Sequence, residues 1–261
     1  MIEFFEPDEV ERMRPAGRFV AETLAELTRD VVRPGTDLLE IDAHVRDRIE
    51  SHGAESCYVD YHPSFGAKPF GHYICTSVND AVLHGLPHKY KLRDGDLLTL
   101  DLAVNVGGWV ADSAVSVIVG GEGPDRAEDR RMIDTCQEAL DAAIAIAVPG
   151  NRIGDISATL GKVLTGAGYG VNTDFGGHGV GRTMHGDPHV PNNGRAGKGM
   201  KLRPGLAIAI EPWVLAGTDQ YRYDPDGWTL RSADGSRGAH VEHTIVITED
   251  EPIVLTDRSS L

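Results

Sequence analysis

Two aspartates in one predicted β-hairpin have the residue type and the spacing to bind a divalent cation. Residues 97–106 and 109–119 are apolar, β-rich runs, and the two glycines between them permit the positive φ angles of a two-residue turn. Symmetric pairing about that turn makes Asp101 and Asp112 diagonal neighbours on one face, with backbones roughly 7–8 Å apart. Two buried carboxylates repel each other, and a cation between them removes that cost. The alternative is that one aspartate is a solvated residue at a strand end.

Three more residues could add metal ligands. His178 lies in GGHGVG, where the flanking glycines favour close approach of a ligand or substrate; the alternative is a hydrogen-bonded structural histidine. Glu211 follows the apolar run LAIAI, and Glu242 precedes the β-rich run HTIVIT. A glutamate next to a buried strand is seldom buried without a partner. Both are therefore candidate ligands.

Together the candidates are four carboxylates and one imidazole: Asp101, Asp112, His178, Glu211 and Glu242. A single catalytic zinc commonly takes three protein ligands, so this set is too large for one ion. It suits two divalent ions about 3.5–4 Å apart, which would activate a shared water and polarise a carbonyl. Oxygen and nitrogen ligands without a thiolate leave Co, Mn, Fe and Zn open.

The elements that must position these ligands follow a repeated order. Long amphipathic helices are predicted at 8–32 and 125–148, and each ends in Pro-Gly before a shorter helix. Thr36 is the predicted cap of the first short helix, and Gly53 lies past its end. Pro15 either kinks the first long helix or marks its true start.

Two pairs of segments resemble each other in sequence. They are 32–42 with 148–157, and 93–104 with 203–214. The second pair aligns Asp101 with Glu211, each at the far end of an apolar strand. Coincidence is the alternative, because Pro-Gly is a common helix stop. Duplication predicts half-repeats at approximately 8–120 and 121–257 that pack around a shared sheet, with the acids converging between them.

Composition excludes several classes of protein. The 261-residue chain carries a net charge of −15, which argues against nucleic-acid binding as its main role. Three scattered cysteines form no CxxC motif and suit a reducing cytosol. The N-terminal residues lack a signal-peptide pattern, and no apolar run approaches the roughly 20 residues of a membrane span. We expect a cytoplasmic protein with neither nucleic acid nor membrane as a partner.

Six motifs in order resemble the type I methionine aminopeptidases, which form subfamily A of peptidase family M24. They are VNDAVLHGLP, LDLAVNVGGWVADSA, GHGVG, MHGDPHV, AIEPWV and EHTIVIT. The resemblance implies the α/β (α+β) pita-bread fold, which is duplicated about a pseudo-two-fold axis and has helices packed on one side of a central antiparallel sheet. It also implies one catalytic domain over 1–261, active as a monomer. Its substrates would be nascent polypeptides beginning with Met and carrying a small second residue, with the ribosome as a further partner.

The resemblance also assigns roles to the candidate ligands. Asp101 and Asp112 would come from the hairpin, with Asp112 bridging two ions. His178 and Glu211 would hold one ion, and Glu242 would be the second bridge.

Catalytic and substrate-binding roles follow from the same resemblance. His84 would hydrogen-bond the scissile amide, and His185 would contact the substrate carbonyl and stabilise the tetrahedral intermediate. Glu211 would also relay protons to the leaving amine. Candidates for the wall of the methionine pocket come from the segment before the first sheet strand, and they are Tyr58, Tyr61, His62 and Phe65.

The chain departs from the family in two places. Residues 64–72 are longer and richer in glycine than expected, in the region that helps form the methionine pocket. Before Glu242 the family usually has Gln and then an aromatic residue, whereas this chain has His240 and Val241. We expect metal binding to persist and the surroundings of Glu242 to differ.

Two rival functions share this fold. An aminopeptidase P or prolidase usually carries an added N-terminal domain, and this chain begins almost at the first helix. A non-catalytic peptide-binding module is expected to have lost ligands, and here five ligands and both accessory histidines are present.

Overall fold

The computed structural model describes residues 2–62 and 68–261, and these residues form four α-helices and fourteen short strands. The helices are α1 (Pro7–Glu26), α2 (Leu38–His52), α3 (Ala127–Ala145) and α4 (Ile153–Gly166). A π-helical segment, Leu27–Val31, continues α1, and a 3-10 turn, Pro124–Arg126, precedes α3. The strands are β1 (Glu55–Ser56), β2 (Cys75–Val78), β3 (Ala81–Leu83), β4 (Leu97–Val106), β5 (Trp109–Ile118), β6 (Gly177–Gly179), β7 (Gly186–Val190), β8 (Ala207–Ile210), β9 (Trp213–Leu215), β10 (Tyr221–Tyr223), β11 (Leu230–Ser232), β12 (Gly238–His240), β13 (His243–Val246) and β14 (Ile253–Val254).

The predicted hairpin is β4 and β5, and its predicted register is confirmed. Ala103 lies opposite Asp112, so Asp101 is the diagonal neighbour of Asp112 on the same face. The turn glycines have φ angles of +61° at Gly107 and +84° at Gly108. Both angles are in the left-handed region that a two-residue type I′ turn requires, which explains why glycine occupies both positions.

Two larger sheets meet along β5. One contains β1, β4, β2 and β5, and the other has the order β14-β13-β8-β6-β7. At the seam, the Glu242 amide donates to the Ala114 carbonyl at 3.1 Å, and the Thr244 hydroxyl donates to the Asp112 carbonyl at 2.7 Å. These bonds hold the acid-bearing ends of the two sheets side by side.

Equivalent hydrogen bonds recur in the two segments that the sequence alignment relates. The Leu38 amide donates to the Tyr90 carbonyl, and the Ile153 amide donates to the Met200 carbonyl, both at 3.0 Å. Each bond ties the start of a short helix to the loop before an acid-bearing strand. A duplicated fold predicts such a recurrence. The bounds of the half-repeats, approximately 8–120 and 121–257, stay a prediction.

Buried apolar side chains attach a pair of helices to each larger sheet. One core cluster joins α1 and α2 to β4 and includes Leu24 and Leu100. A second joins α3 and α4 to β8 and β13 and includes Leu140 and Ile245. Fully burying such side chains stabilises the fold by roughly 1.5–3 kcal/mol each, so the helices fix the strands that carry the acids.

The first helix runs through its proline. It begins at Pro7, where Glu6 and Glu9 form a capping box, so a start at Pro15 is wrong. Pro15 cannot donate to the carbonyl of Glu11. Glu11 is exposed, so water can satisfy that carbonyl and the helix continues.

The start of α2 also differs from the prediction, because Asp37 caps the helix rather than Thr36. The Asp37 side chain accepts from the Leu39 amide at 3.1 Å, while the Thr36 hydroxyl donates to the Val31 carbonyl at 2.8 Å. Thr36 is thus used to close the preceding turn. The predicted end is confirmed, since Gly53 follows α2 with a φ of +68°.

Among residues 2–62 and 68–261, no helix is both long enough and apolar enough to cross a bilayer.

Candidate metal centre and substrate cavity

The five predicted ligands lie together at the seam between the larger sheets and border one cavity. Ligand atoms of Asp101, Asp112 and Glu242 lie within 4.8 Å of one another, and so do those of His178, Glu211 and Glu242. His185 completes a third such group with Asp112 and His178. Because Glu242 belongs to both of the first two groups, the arrangement offers two adjacent positions for a cation.

The two sheets present their acids by different geometries. In β4 and β5 the two aspartates are diagonal neighbours. In the other sheet, Ile210 of β8 pairs with His243 of β13. Glu211 comes directly after Ile210 and Glu242 comes directly before His243, so the two glutamates stand across from each other where the strands diverge. The repeat therefore predicts where Asp101 and Glu211 lie, but not where the second acid of each sheet lies.

His178 has its tautomer fixed by the backbone. Its Nδ1 lies 3.1 Å from the Gly179 carbonyl, and a carbonyl can only accept, so Nδ1 carries the proton. The lone pair is then on Nε2, which lies 3.7 Å from Oε1 of Glu211 and 3.8 Å from Oδ2 of Asp112. This is the tautomer in which a histidine binds a metal ion through Nε2.

The glycines directly beside His178 permit close packing of the backbone. A Cβ atom at Gly177 would lie 2.1 Å from the Ala209 carbonyl oxygen, and one at Gly179 would lie 2.0 Å from that of Asp187. These contacts are with neighbouring strands. Gly176, which comes one residue earlier in the same run, borders the cavity, so close approach of a ligand to these glycines stays a prediction.

Burial raises the pKa values of the four carboxyl groups and so disfavours their ionisation. Burial, opposed by hydrogen bonds, raises the pKa of Asp101 to about 6, and burial with repulsion from Asp101 raises the pKa of Glu211 to about 8. Burial and the neighbouring carboxylates also raise the pKa values of Asp112 and Glu242. Among the described residues, Oε1 of Glu242 has no hydrogen-bond partner. Divalent cations would offset this repulsion and occupy the free oxygen, so the residues fit a metal site.

The raised pKa of Glu211 predicts how the stability of the metal-free protein depends on pH. Between about 4.5 and about 8 the folded state binds more protons than the unfolded chain, so stability is lost as the pH rises through that window. We expect Glu211→Gln, which cannot ionise, to gain about 2–4 kcal/mol in unfolding free energy relative to wild type between pH 5 and pH 8. Urea titrations of the chelated proteins measure this, and a difference independent of pH would contradict it.

Aromatic and apolar side chains form most of the remainder of the cavity, whose volume is about 220 Å³. Of the predicted pocket residues, Tyr58 and Tyr61 line it, whereas His62 is exposed and outside the lining. Phe65 lies outside the described residues. The aromatic and apolar lining residues that the sequence did not predict are Phe70, Cys75, Phe175, Met184 and Trp228, and Asp174, Gly176 and His189 complete the lining. They come from separate segments, and only Phe70 lies in the stretch that the sequence marks as the pocket.

Tyr58 joins the apolar wall to the acidic cluster. Its ring packs at 5.4 Å against Phe70, and its hydroxyl donates to Oδ1 of Asp101 at 2.6 Å. The same hydroxyl lies 3.4 Å from Oδ1 of Asp112. A tyrosine that touches two candidate ligands orients them as well as lining the cavity.

The two accessory histidines flank the cluster. His84 adopts a φ of +55°, an unfavourable angle for a non-glycine residue, and its buried Nδ1 has no hydrogen-bond partner within residues 2–62 and 68–261. His185 is open to solvent on one side, while Nδ1 lies 2.6 Å from the Tyr61 hydroxyl. Burial lowers the pKa of each to about 4, with His84 adding to the effect on His185. Both rings are therefore neutral at pH 7 and able to donate one hydrogen bond.

Comparison with known proteins agrees with this geometry. The sequence profile of metallopeptidase family M24 matches residues 11–249. The chain belongs to this family. A methionine aminopeptidase of Aquifex aeolicus is 38% identical over 259 residues, covering 98% of this chain and 99% of that protein. The crystal structure of methionine aminopeptidase from Rickettsia prowazekii superposes with a TM-score of 0.92 at 32% identity, covering 98% of this chain and 100% of that one.

The M24 comparisons also bear on the fold and on the rival enzymes. The superposition confirms the predicted pita-bread fold with its mixed helices and antiparallel strands. A prolidase from Pyrococcus furiosus superposes with a TM-score of 0.73 at 21% identity, and the match covers 97% of this chain but 65% of the prolidase. That likeness shows a shared fold alone. Methionine aminopeptidases match along nearly the whole length of both chains.

Proposed function

We propose that this chain is a metal-dependent methionine aminopeptidase that removes the initiator methionine from nascent proteins with a small second residue. The observation that carries the proposal is the pair of ligand groups sharing Glu242, which open onto an aromatic cavity. The near-complete match to methionine aminopeptidases supports the choice of substrate.

Two divalent ions would be held by the five candidate ligands. These are Asp101, Asp112, His178, Glu211 and Glu242. When bound, such ions supply Lewis-acid activation of a water and of the scissile carbonyl. Asp112, His178 and Glu242 each belong to two ligand groups, and of these only the two carboxylates have a second oxygen with which to contact a second ion, which supports their assignment as bridges.

The metal is of the oxygen- and nitrogen-binding class, with Co, Mn, Fe and Zn as candidates. Cys75 borders the cluster, but burial and the neighbouring carboxylates Asp101 and Asp112 raise the pKa of its thiol well above the ordinary value. Cys75 also belongs to none of the three ligand groups found among the described residues, so oxygen and nitrogen atoms are the candidate ligands.

The side chains around the cluster would bind and orient the peptide. His84 would hydrogen-bond the scissile amide, and His185 would donate to the carbonyl oxygen as charge develops there. Glu211, at the edge of the cluster, would pass a proton to the leaving amine. The two histidine roles need neutral imidazoles, and burial, which lowers the pKa of each, keeps both rings neutral.

The methionine side chain would enter the aromatic part of the cavity. Tyr61 and Trp228 lie 6.3 Å apart, and Phe70 and Trp228 lie 5.2 Å apart, measured between ring centroids. A thioether gains favourable contacts with aromatic rings, in addition to the burial of its apolar atoms. The cavity therefore suits an unbranched, sulfur-containing side chain.

Location and assembly remain predictions that follow the proposed substrate. A cytoplasmic monomer that meets new chains at the ribosome would encounter its substrate as synthesis proceeds. The three free cysteines suit a reducing compartment.

A peptide panel tests the proposal against its rivals. The chain, supplied with Mn²⁺ or Co²⁺, is assayed on Met-Ala-Ser, Met-Leu-Ser and Ala-Pro-Ser tripeptides. We expect rapid release of methionine from the first, slow release from the second and no cleavage of the third. Preferential cleavage before proline would favour a prolidase-like enzyme, and binding without cleavage would favour a peptide-binding module.

Removing the His84 imidazole is expected to slow catalysis without loss of metal. We expect His84→Asn, which tolerates the positive φ angle, to lower kcat on Met-Ala-Ser by about 10²-fold because a transition-state hydrogen bond is lost. Metal content by mass spectrometry should stay at the wild-type level. The exposed His88, whose Nδ1 contacts the Leu86 carbonyl, offers a matched control in His88→Asn. Loss of metal from His84→Asn would make His84 a ligand or a structural residue instead.

A further inference from the structure

His240 is a buried imidazole to which the proposed mechanism gives no role. It ends β12, two residues before Glu242, and only 1% of it is exposed. Among the described residues, neither Nδ1 nor Nε2 has a hydrogen-bond partner. Buried polar atoms in folded proteins nearly always have a hydrogen-bond partner. We therefore expect the working protein to provide a partner for the His240 imidazole.

Hydrogen bonds hold the backbone of His240 in place, and the ring extends from there towards Glu211. Its amide donates to the Ser116 hydroxyl oxygen at 3.0 Å, and that hydroxyl lies 2.8 Å from the His240 carbonyl. His240 also pairs with Trp213 in the ladder between β12 and β9. From this position Nε2 lies 3.8 Å from Oε2 of Glu211.

The Glu211 carboxylate therefore lies between two imidazoles. Oε1 lies 3.7 Å from Nε2 of His178, and Oε2 faces His240. The backbone of Glu211 is held separately, because Asn192 donates through Nδ2 to its carbonyl at 3.1 Å. What remains to be set is the orientation of the carboxylate.

The positions of the protons on the two imidazoles determine which carboxylate oxygen of Glu211 can bind a metal ion and which can accept a hydrogen bond. His178 has its proton on Nδ1, so its Nε2 offers a lone pair beside Oε1 of Glu211. A neutral imidazole has one N–H, and Oε2 of Glu211 is a carboxylate oxygen that lies 3.8 Å from Nε2 of His240. A shift of about 0.9 Å brings the two atoms to hydrogen-bonding distance.

We propose that His240 is a positioning residue that donates its Nε2–H to Oε2 of Glu211 and so reserves Oε1 for a metal ion. The inference rests on the proposed metal centre. It assigns a purpose to the histidine that stands where the type I family usually has glutamine, since both side chains can donate an N–H. Direct ligation is the less favoured role, because His240 belongs to none of the three ligand groups found among the described residues.

Three variants test the role by metal binding. His240→Leu removes the donor, His240→Gln restores one, and His243→Gln is the matched control. The control removes another buried imidazole, which directly follows Glu242 but whose Nδ1 contacts the Thr256 hydroxyl at 2.8 Å rather than a candidate ligand. Co²⁺ is titrated into each metal-free protein by calorimetry, and the visible absorption of bound Co²⁺ reports the number and type of its ligands.

We expect His240→Leu to bind Co²⁺ about 10- to 100-fold more weakly, with an unchanged number of ions per chain. His240→Gln should recover most of that affinity and show the wild-type Co²⁺ spectrum, because the ligands are the same. His243→Gln should bind like wild type. The thermal unfolding midpoints of the metal-free variants separate a loss of metal affinity from a loss of folding.

Three results would overturn the inference. Wild-type affinity in His240→Leu would show that the imidazole does not act on Glu211. Failure of His240→Gln to recover affinity, with a changed Co²⁺ spectrum or a lost ion, would make His240 a ligand. A wild-type protein that binds no Co²⁺ would contradict the proposed metal centre itself, and with it this inference.

Discussion

Chelation followed by dialysis is expected to abolish cleavage of a Met-Ala-Ser tripeptide, and added Mn²⁺ or Co²⁺ is expected to restore it. The reason lies in the candidate centre, where four carboxyl groups with raised pKa values surround one neutral histidine. Without cations the cluster protonates to relieve its repulsion and has no group that could activate a water. We expect kcat/KM to fall by at least about 10³-fold.

The measurement is a methionine-release assay on chelated and reloaded protein. Circular dichroism of the chelated protein serves as the control, because unfolding would also abolish activity. Full activity in protein shown by mass spectrometry to be free of metal would contradict the proposed mechanism.

Asp112→Asn is expected to disturb both metal positions at once. Asp112 belongs to the ligand group of Asp101 and Glu242 and also to that of His178 and His185. The amide keeps the shape of the carboxylate but loses its charge and most of its affinity for a cation. We expect fewer than two ions per chain and a loss of about 10³-fold or more in kcat/KM.

Asp112→Asn should also raise the thermal stability of the metal-free protein, whereas a variant with a damaged fold would lose stability. Removing one charge relieves the repulsion, so metal-free Asp112→Asn should unfold at a higher temperature than metal-free wild type, while gaining less from added metal. Asp129→Asn is the matched control, because Asp129 is also buried but pairs with Arg237 away from the cavity. Wild-type metal content and activity in Asp112→Asn would refute the bridging role.

The hairpin and its two aspartates could be predicted because local chemistry determines them. Two glycines fix the turn, the turn fixes the register, and the two-residue period of a strand places Asp101 and Asp112 on one face. The acids beside β8 and β13 were found by the same reasoning about charged residues at the ends of apolar strands.

The hydrogen bonds at the seam between the sheets and most of the cavity wall could not be predicted, because both depend on contacts between distant segments. At the seam, the Ser113 hydroxyl donates to the Glu242 carbonyl at 2.5 Å, across 129 positions of sequence. In the wall, Trp228 contacts Phe70 from a turn-rich stretch that has no periodic pattern. The packing role of Gly177 and Gly179 was not predicted for the same reason, since the atoms that require glycine there belong to other strands.

Anomalous diffraction from crystals soaked in Mn²⁺ would locate directly the two divalent ions that we propose for this cluster. We expect two anomalous peaks among Asp101, Asp112, His178, Glu211 and Glu242, with Glu242 contacting both. An absence of peaks within the cluster, in crystals of protein that cleaves Met-Ala-Ser, would contradict it.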